Sequence, residues 1–104
     1  MDIHFKTAKL KKILTNERLI KKSFAHAYQG ILNRFSELQA VSNLSLISHL
    51  PPPRKHKLSG KFEGCWAVDV SSNERLVFTS VNSEKDALDE EITAIEILEI
   101  TDYH

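Results

Sequence analysis

Two periods run through this chain, and between them they predict its layout. Near the start, Ile3 and Phe5 alternate with Asp2, His4 and Lys6, the pattern of a short strand with one buried face. Thr7 then suits the N-cap of a short helix that carries Leu10, Ile13 and Leu14 on one side. Asn16 suits the cap of a second, longer helix, in which Ile20, Phe24, Ala27, Ile31, Phe35 and Leu38 recur at spacings of three and four. Such a stripe must be buried against a partner. Because the rest of the chain reads as strands, the partner is a sheet, and the aromatic residues of the stripe belong to the core rather than to a base-stacking platform.

Residues 42–53 lose the period and end in Pro51-Pro52-Pro53, which cannot continue a helix and favours an extended approach to the next strand. Three strands follow. They are expected at 56–60, at 65–70 with Trp66, Val68 and Val70 on one face, and at 75–81 with Leu76 and Phe78 on one face. Ser71-Ser72-Asn73-Glu74 supplies the turn between the last two. Residues 82–91 form an acidic loop, and a final strand runs from 93 to the end through Ala94-Ile95-Glu96-Ile97-Leu98-Glu99-Ile100-Thr101. The order β-α-α-β-β-β-β predicts an α+β fold, with both helices on one face of a largely antiparallel sheet. At 104 residues the chain is expected to be one domain spanning 1–104, and no internal repeat is visible.

Charge changes this picture more than overall composition does. Hydrophobic content of 41% and charged content of 27% are ordinary for a globular protein, and the net charge is zero. Residues 1–65, however, hold 12 Lys/Arg against 4 Asp/Glu, a balance of +8, and residues 66–104 hold 2 against 10, a balance of −8. That asymmetry suggests a cationic face able to meet phosphates. Single cysteine usage excludes an internal disulfide, no apolar run is long enough to span a bilayer, and the N-terminus lacks the regions of a signal peptide. The expectation is a cytoplasmic protein without a membrane partner.

Phosphate-binding loops, nucleophile elbows and zinc-protease pairs are absent from the sequence. The five histidines, His4, His26, His49, His56 and His104, are too scattered for ligand spacing within one element, so no metal site is expected. Cys65 opens a hydrophobic strand, where a small buried thiol is the usual occupant. The chain finishes on Asp102-Tyr103-His104, a carboxylate, a phenol and an imidazole. On a continuing strand Asp102 and His104 share a face about 7 Å apart, and Tyr103 points opposite. With His56 and Arg75 these groups suit RNA cleavage without a metal: a base takes the 2′-hydroxyl proton, the oxygen attacks the adjacent phosphate, and an acid protonates the leaving 5′-oxygen. Lys9, Lys11, Lys12, Lys21 and Lys22 on the helices, with Arg54, Lys57 and Lys61 nearer the strands, are the candidate contacts to the RNA backbone.

The succession Arg54-Lys55-His56-Lys57-Leu58-Ser59-Gly60, Gly64-Cys65-Trp66-Ala67-Val68-Asp69-Val70, Arg75-Leu76-Val77-Phe78 and Asp102-Tyr103-His104 resembles the HigB-like "plasmid maintenance killer" proteins of the wider RelE/ParE toxin superfamily. The resemblance covers nearly the whole chain and implies a RelE-like fold. It further implies catalytic roles for His56, Asp102, Tyr103 and His104, phosphate binding by Arg75, messenger RNA on the ribosome (the 30S A site) as substrate, and a HigA-like antitoxin as partner. It implies neither a cofactor nor a small-molecule ligand. One departure is Ser59, where many relatives have lysine; Lys57 and Lys61 share its strand parity and are the expected substitutes. Two rival readings keep the fold: a ParE-like inhibitor of DNA gyrase without nuclease chemistry, and a non-toxic binding module with a decayed site.

Overall fold

A computed structural model of the chain describes residues 1–84 and 86–102. Its elements are β1 (Asp2–Phe5), α1 (Ala8–Leu14), α2 (Glu17–Ser23), α3 (Tyr28–Ala40), β2 (His56–Lys57), β3 (Trp66–Asp69), β4 (Glu74–Ser80) and β5 (Ala94–Asp102), an α+β arrangement as the periods predict. Both expected caps form: the Thr7 hydroxyl accepts from the Leu10 N–H at 3.0 Å, and the Asn16 side-chain oxygen accepts from the Leu19 N–H at 3.2 Å. The strands make one sheet of order β1-β5-β4-β3-β2, in which β1 runs parallel to β5 and every other pairing is antiparallel.

The long helix expected after Asn16 is in fact two. The backbone leaves the helical region at Phe24 (φ −137°, ψ 55°), a short 3₁₀ turn covers Ala25–Ala27, and α3 starts afresh at Tyr28. Ile20, Ala27, Ile31 and Leu38 are all buried, so the stripe works as read, but on a bent support. The bend re-aims α3 until its backbone presses on the end of β3. A Cβ built on Gly30 would stand 1.6 Å from the Val70 carbonyl oxygen, so only glycine permits this approach. Past α3 the C-terminal carbonyls of Leu38 and Gln39 accept from the Met1 amino group at 3.2 and 3.1 Å, which offsets the negative end of the helix.

The core lies between the helices and one face of the sheet. Trp66, Val68, Leu76, Phe78, Ile95 and Ile97 face Leu14, Ile20, Ile31 and Leu38, and Trp66 stacks on Phe78 with centroids 6.2 Å apart. The prolines do not make an extended approach. Residues 51–53 are a turn with a cis Pro51–Pro52 bond, Pro53 is buried, and its carbonyl accepts from the Asp69 N–H at 2.8 Å. Strand β2 is correspondingly only two residues long rather than running over 56–60, and Gly60 opens a 3₁₀ turn, Gly60–Phe62. Lys55 pins the acidic loop to this region, donating from Nζ to the Leu44 carbonyl at 2.9 Å and to Asp89 Oδ2 at 2.7 Å.

A bulge divides β5. Phe78 pairs with Ile97, but the next residue of β4, Val77, pairs with Glu99, so Leu98 is the extra residue on its strand. Beyond it the alternation is inverted. Ile95 and Ile97 face the core before the bulge, and after it Ile100 sits opposite Leu76 and packs on the core in its turn.

Candidate RNA-cleavage face

Strand register sets which side chains share the face turned away from the helices. His56 stands across from Ala67, Ala67 from Val77, and Val77 from Glu99; one step along, Asp69 stands across from Arg75 and Arg75 from Thr101. All of them belong to this second face, because their strand neighbours Trp66, Val68, Leu76 and Phe78 fill the core. Ala67 and Val77 are fully buried there, so two small apolar side chains make a floor between charged neighbours. His56 and Arg75, called from the sequence, are thus brought to one surface.

The orientation of His56 is fixed by its backbone neighbourhood. Its Nδ1 lies 2.7 Å from the Arg54 carbonyl oxygen, and since a carbonyl can only accept, Nδ1 carries the hydrogen. In the neutral ring that leaves the lone pair on Nε2, the form a general base needs. Arg54 itself has a left-handed backbone (φ 48°) and forks onto Asp69, Nε to Oδ2 at 2.6 Å and Nη2 to Oδ1 at 3.0 Å. Its charge, expected for RNA, is largely offset by that bidentate pair.

The 3₁₀ turn after β2 carries Phe62 over the same face. The Arg75 guanidinium carbon lies 5.9 Å from the Phe62 ring centroid, and Lys61 Nζ lies 5.0 Å from it. Lys57 goes elsewhere. Paired with Trp66, it points away from His56 with its Nζ 5.7 Å from the indole ring, and it lines hollows beside the acidic loop residues Glu84 and Asp86. Of the two lysines expected to stand in for one at Ser59, therefore, Lys61 reaches the second face and Lys57 does not. Their presumed shared parity with Ser59 fails because the strand stops at Lys57.

Asp102 also departs from expectation. It pairs with Glu74, on the side of the sheet opposite Arg75, and lines a cavity of about 590 Å³ with His26, Ser71, Ser72, Asn73 and Glu74. The bulge at Leu98 is the cause. Strict alternation from Ile95 and Ile97 would have put residue 102 on the second face, and the extra residue exchanges the faces beyond it. The apolar doublet Ile97-Leu98 is the sequence signal of that phase change. Tyr103 and His104 lie outside the described residues.

Cys65 opens toward Thr79 on the second face. Burial pushes its thiol above the ordinary range, and the Thr79 hydroxyl opposes part of that shift, so this thiol is a poor thiolate nucleophile. The helix lysines Lys9, Lys11, Lys12, Lys21 and Lys22 are all exposed, and Lys21 Nζ lies 5.8 Å from the Tyr28 ring centroid. Among the described residues no three His, Cys, Asp or Glu side chains cluster as metal ligands would, and no helix is long and apolar enough to cross a membrane.

No protein-family model matches the chain, and no curated protein matches it in sequence. Its three-dimensional structure does find relatives. A YoeB/ParE toxin from Agrobacterium tumefaciens superposes with a TM-score of 0.60 at 10% identity, covering all of both chains. A YafQ mutant from E. coli gives a TM-score of 0.61 at 12% identity over 98% of this chain and 92% of that one. The toxin-antitoxin complex YoeB-YefM from Staphylococcus aureus, a heterotetramer, gives 0.55 at 14% identity over 100% of this chain and 97% of that one. The mixed five-stranded sheet and its helices share the fold of these YoeB/ParE and YafQ structures.

Proposed function

We propose that this chain is the toxin of a type II toxin–antitoxin pair, HigB-like within the RelE/ParE group, and an endoribonuclease that cleaves messenger RNA on the ribosome. The observation that carries the reading is the second face of the sheet, which His56 and Arg75 share, on a fold matched along the whole chain by YoeB- and YafQ-type toxins. His56 Nε2 takes the proton of a ribose 2′-hydroxyl, and the freed oxygen attacks the adjacent phosphorus. Negative charge builds on the non-bridging oxygens, against Arg75 and Lys61. The 5′-oxygen leaves and takes a proton from the C-terminal pair, Tyr103 or His104, giving a 2′,3′-cyclic phosphate and a 5′-hydroxyl. No step calls on a metal ion. The exposed lysines of α1 and α2 supply diffuse, salt-sensitive attraction to the RNA backbone. A small HigA-like antitoxin neutralises the protein in the cytoplasm; the YoeB-YefM pairing of a structural neighbour supports such a partner.

A second reading has one observation behind it. Asp102 faces away from Arg75, which thins the proton-transfer set and favours a ParE-like gyrase inhibitor that binds without cutting. The two separate cleanly. The chain is expressed alone, and RNA 5′ ends are sequenced from a translation reaction. New 5′-hydroxyl ends in messenger RNA are the expected result. Intact messenger RNA with broken DNA would transfer the protein to the gyrase class, and unimpaired growth at verified soluble expression would leave a module without toxicity.

A further inference from the structure

Phe62 is the residue of the second face that no charge or proton-transfer argument singles out. It belongs to the turn Gly60–Phe62, is half-buried, and takes two cations against one ring: Lys61 Nζ at 5.0 Å from the centroid and Arg75 Cζ at 5.9 Å. Both distances fall within the range in which the negative face of an aromatic ring attracts a cation. The two cations have different needs. Arg75 extends from the middle strand of the sheet, whereas Lys61 is an exposed side chain with a long, freely rotating stem on an irregular turn. Two like charges would ordinarily swing apart, and the ring attracts both of them.

We infer that Phe62 is a positioning residue: it gathers Lys61 and Arg75 into one two-cation clamp for a single RNA phosphate. The inference rests on the reading of this face as an RNA-cleavage site and deepens it. The fixed guanidinium fork gives the clamp direction, and the ammonium supplies a second positive charge without demanding geometry. Preformed on the ring, the pair need not reorganise as charge builds on the phosphate, which is how aimed cations favour a transition state over a bound ground state. His56 lies on the same face to take the 2′-hydroxyl proton.

The test pairs a rate measurement with a direct view of the clamp. In Phe62→Leu, which keeps apolar bulk but loses the ring, the single-turnover cleavage rate at saturating enzyme falls by roughly three- to thirtyfold, the span of one to two lost cation–π contacts. RNA affinity at the same salt changes by less than about twofold, because the diffuse lysines carry binding. Phe62→Tyr restores the rate. Independently of cleavage, the Arg75 Nε–H proton in an NMR spectrum carries a ring-current displacement that Phe62→Leu abolishes and Phe62→Tyr retains. Equal rates for wild type and Phe62→Leu overturn the inference, as does failure of Phe62→Tyr to rescue. A wild-type protein that cuts no RNA overturns the functional reading instead. In that case the clamp is judged by the NMR displacement and by titration with inorganic phosphate, whose binding should shift the Arg75 resonance in wild type and not in Phe62→Leu.

Discussion

The two faces of one sheet, built from the same strands, have opposite characters. On the helix-covered face Trp66, Val68, Leu76, Phe78, Ile95 and Ile97 are apolar and buried. On the second face small apolar residues, Ala67 and Val77, alternate with His56, Asp69 and Arg75. One face holds the fold together and the other presents charge at fixed spacing, because successive side chains on a strand must point to opposite sides. The consequence is a division of labour. A substitution should damage stability or chemistry according to the face it occupies, and only a position that disturbs the sheet itself should damage both.

The largest effect should come from the core. Phe78→Ala removes a fully buried ring that stacks on Trp66, and should lower unfolding free energy by about 3–5 kcal/mol, read from the urea midpoint at constant slope. Arg75→Ala, three residues away on the other face, should leave the midpoint nearly unmoved and slow single-turnover cleavage by roughly a hundred- to a thousandfold. An Arg75→Ala variant that lowers the urea midpoint as far as Phe78→Ala does, while keeping its specific activity when folded, would erase the contrast. Gly30→Ala tests the seam between helices and sheet: the added carbon would collide with the Val70 backbone, and a loss of about 1–3 kcal/mol is expected, with cleavage by the folded fraction unchanged. The smallest change is expected at Asp102→Asn. Since Asp102 sits with Glu74 and His26 on the side away from Arg75, cleavage should stay within about twofold of wild type. A loss near a hundredfold would show that Asp102 acts with Arg75 across the sheet, and would undo the assignment of chemistry to a single face.

Periodicity alone carried a large part of this protein. Alternation at Ile3 and Phe5, at Trp66, Val68 and Val70, and at Leu76 and Phe78 named strands and inner faces, because a side chain's direction on a strand is a local property. The caps at Thr7 and Asn16 were legible for the same reason: a hydroxyl or amide three residues before an unpaired N–H makes a local bond. His56 and Arg75 could be named as candidates for one site, but their placement on one face needed the pairing of β2 with β3 and of β3 with β4. What tertiary structure decided was wherever a remote contact outweighs local preference. The helix broke at Phe24 so that Gly30 could lie on Val70, about 130 Å of extended chain away at ~3.3 Å per residue. Phe62 acquired its two cations because a turn folded back over β4. Asp102 changed sides because one extra residue at Leu98 had to be absorbed to keep both Ile97 and Ile100 on the core, and burial of those two side chains outweighs the placement of a single exposed carboxylate.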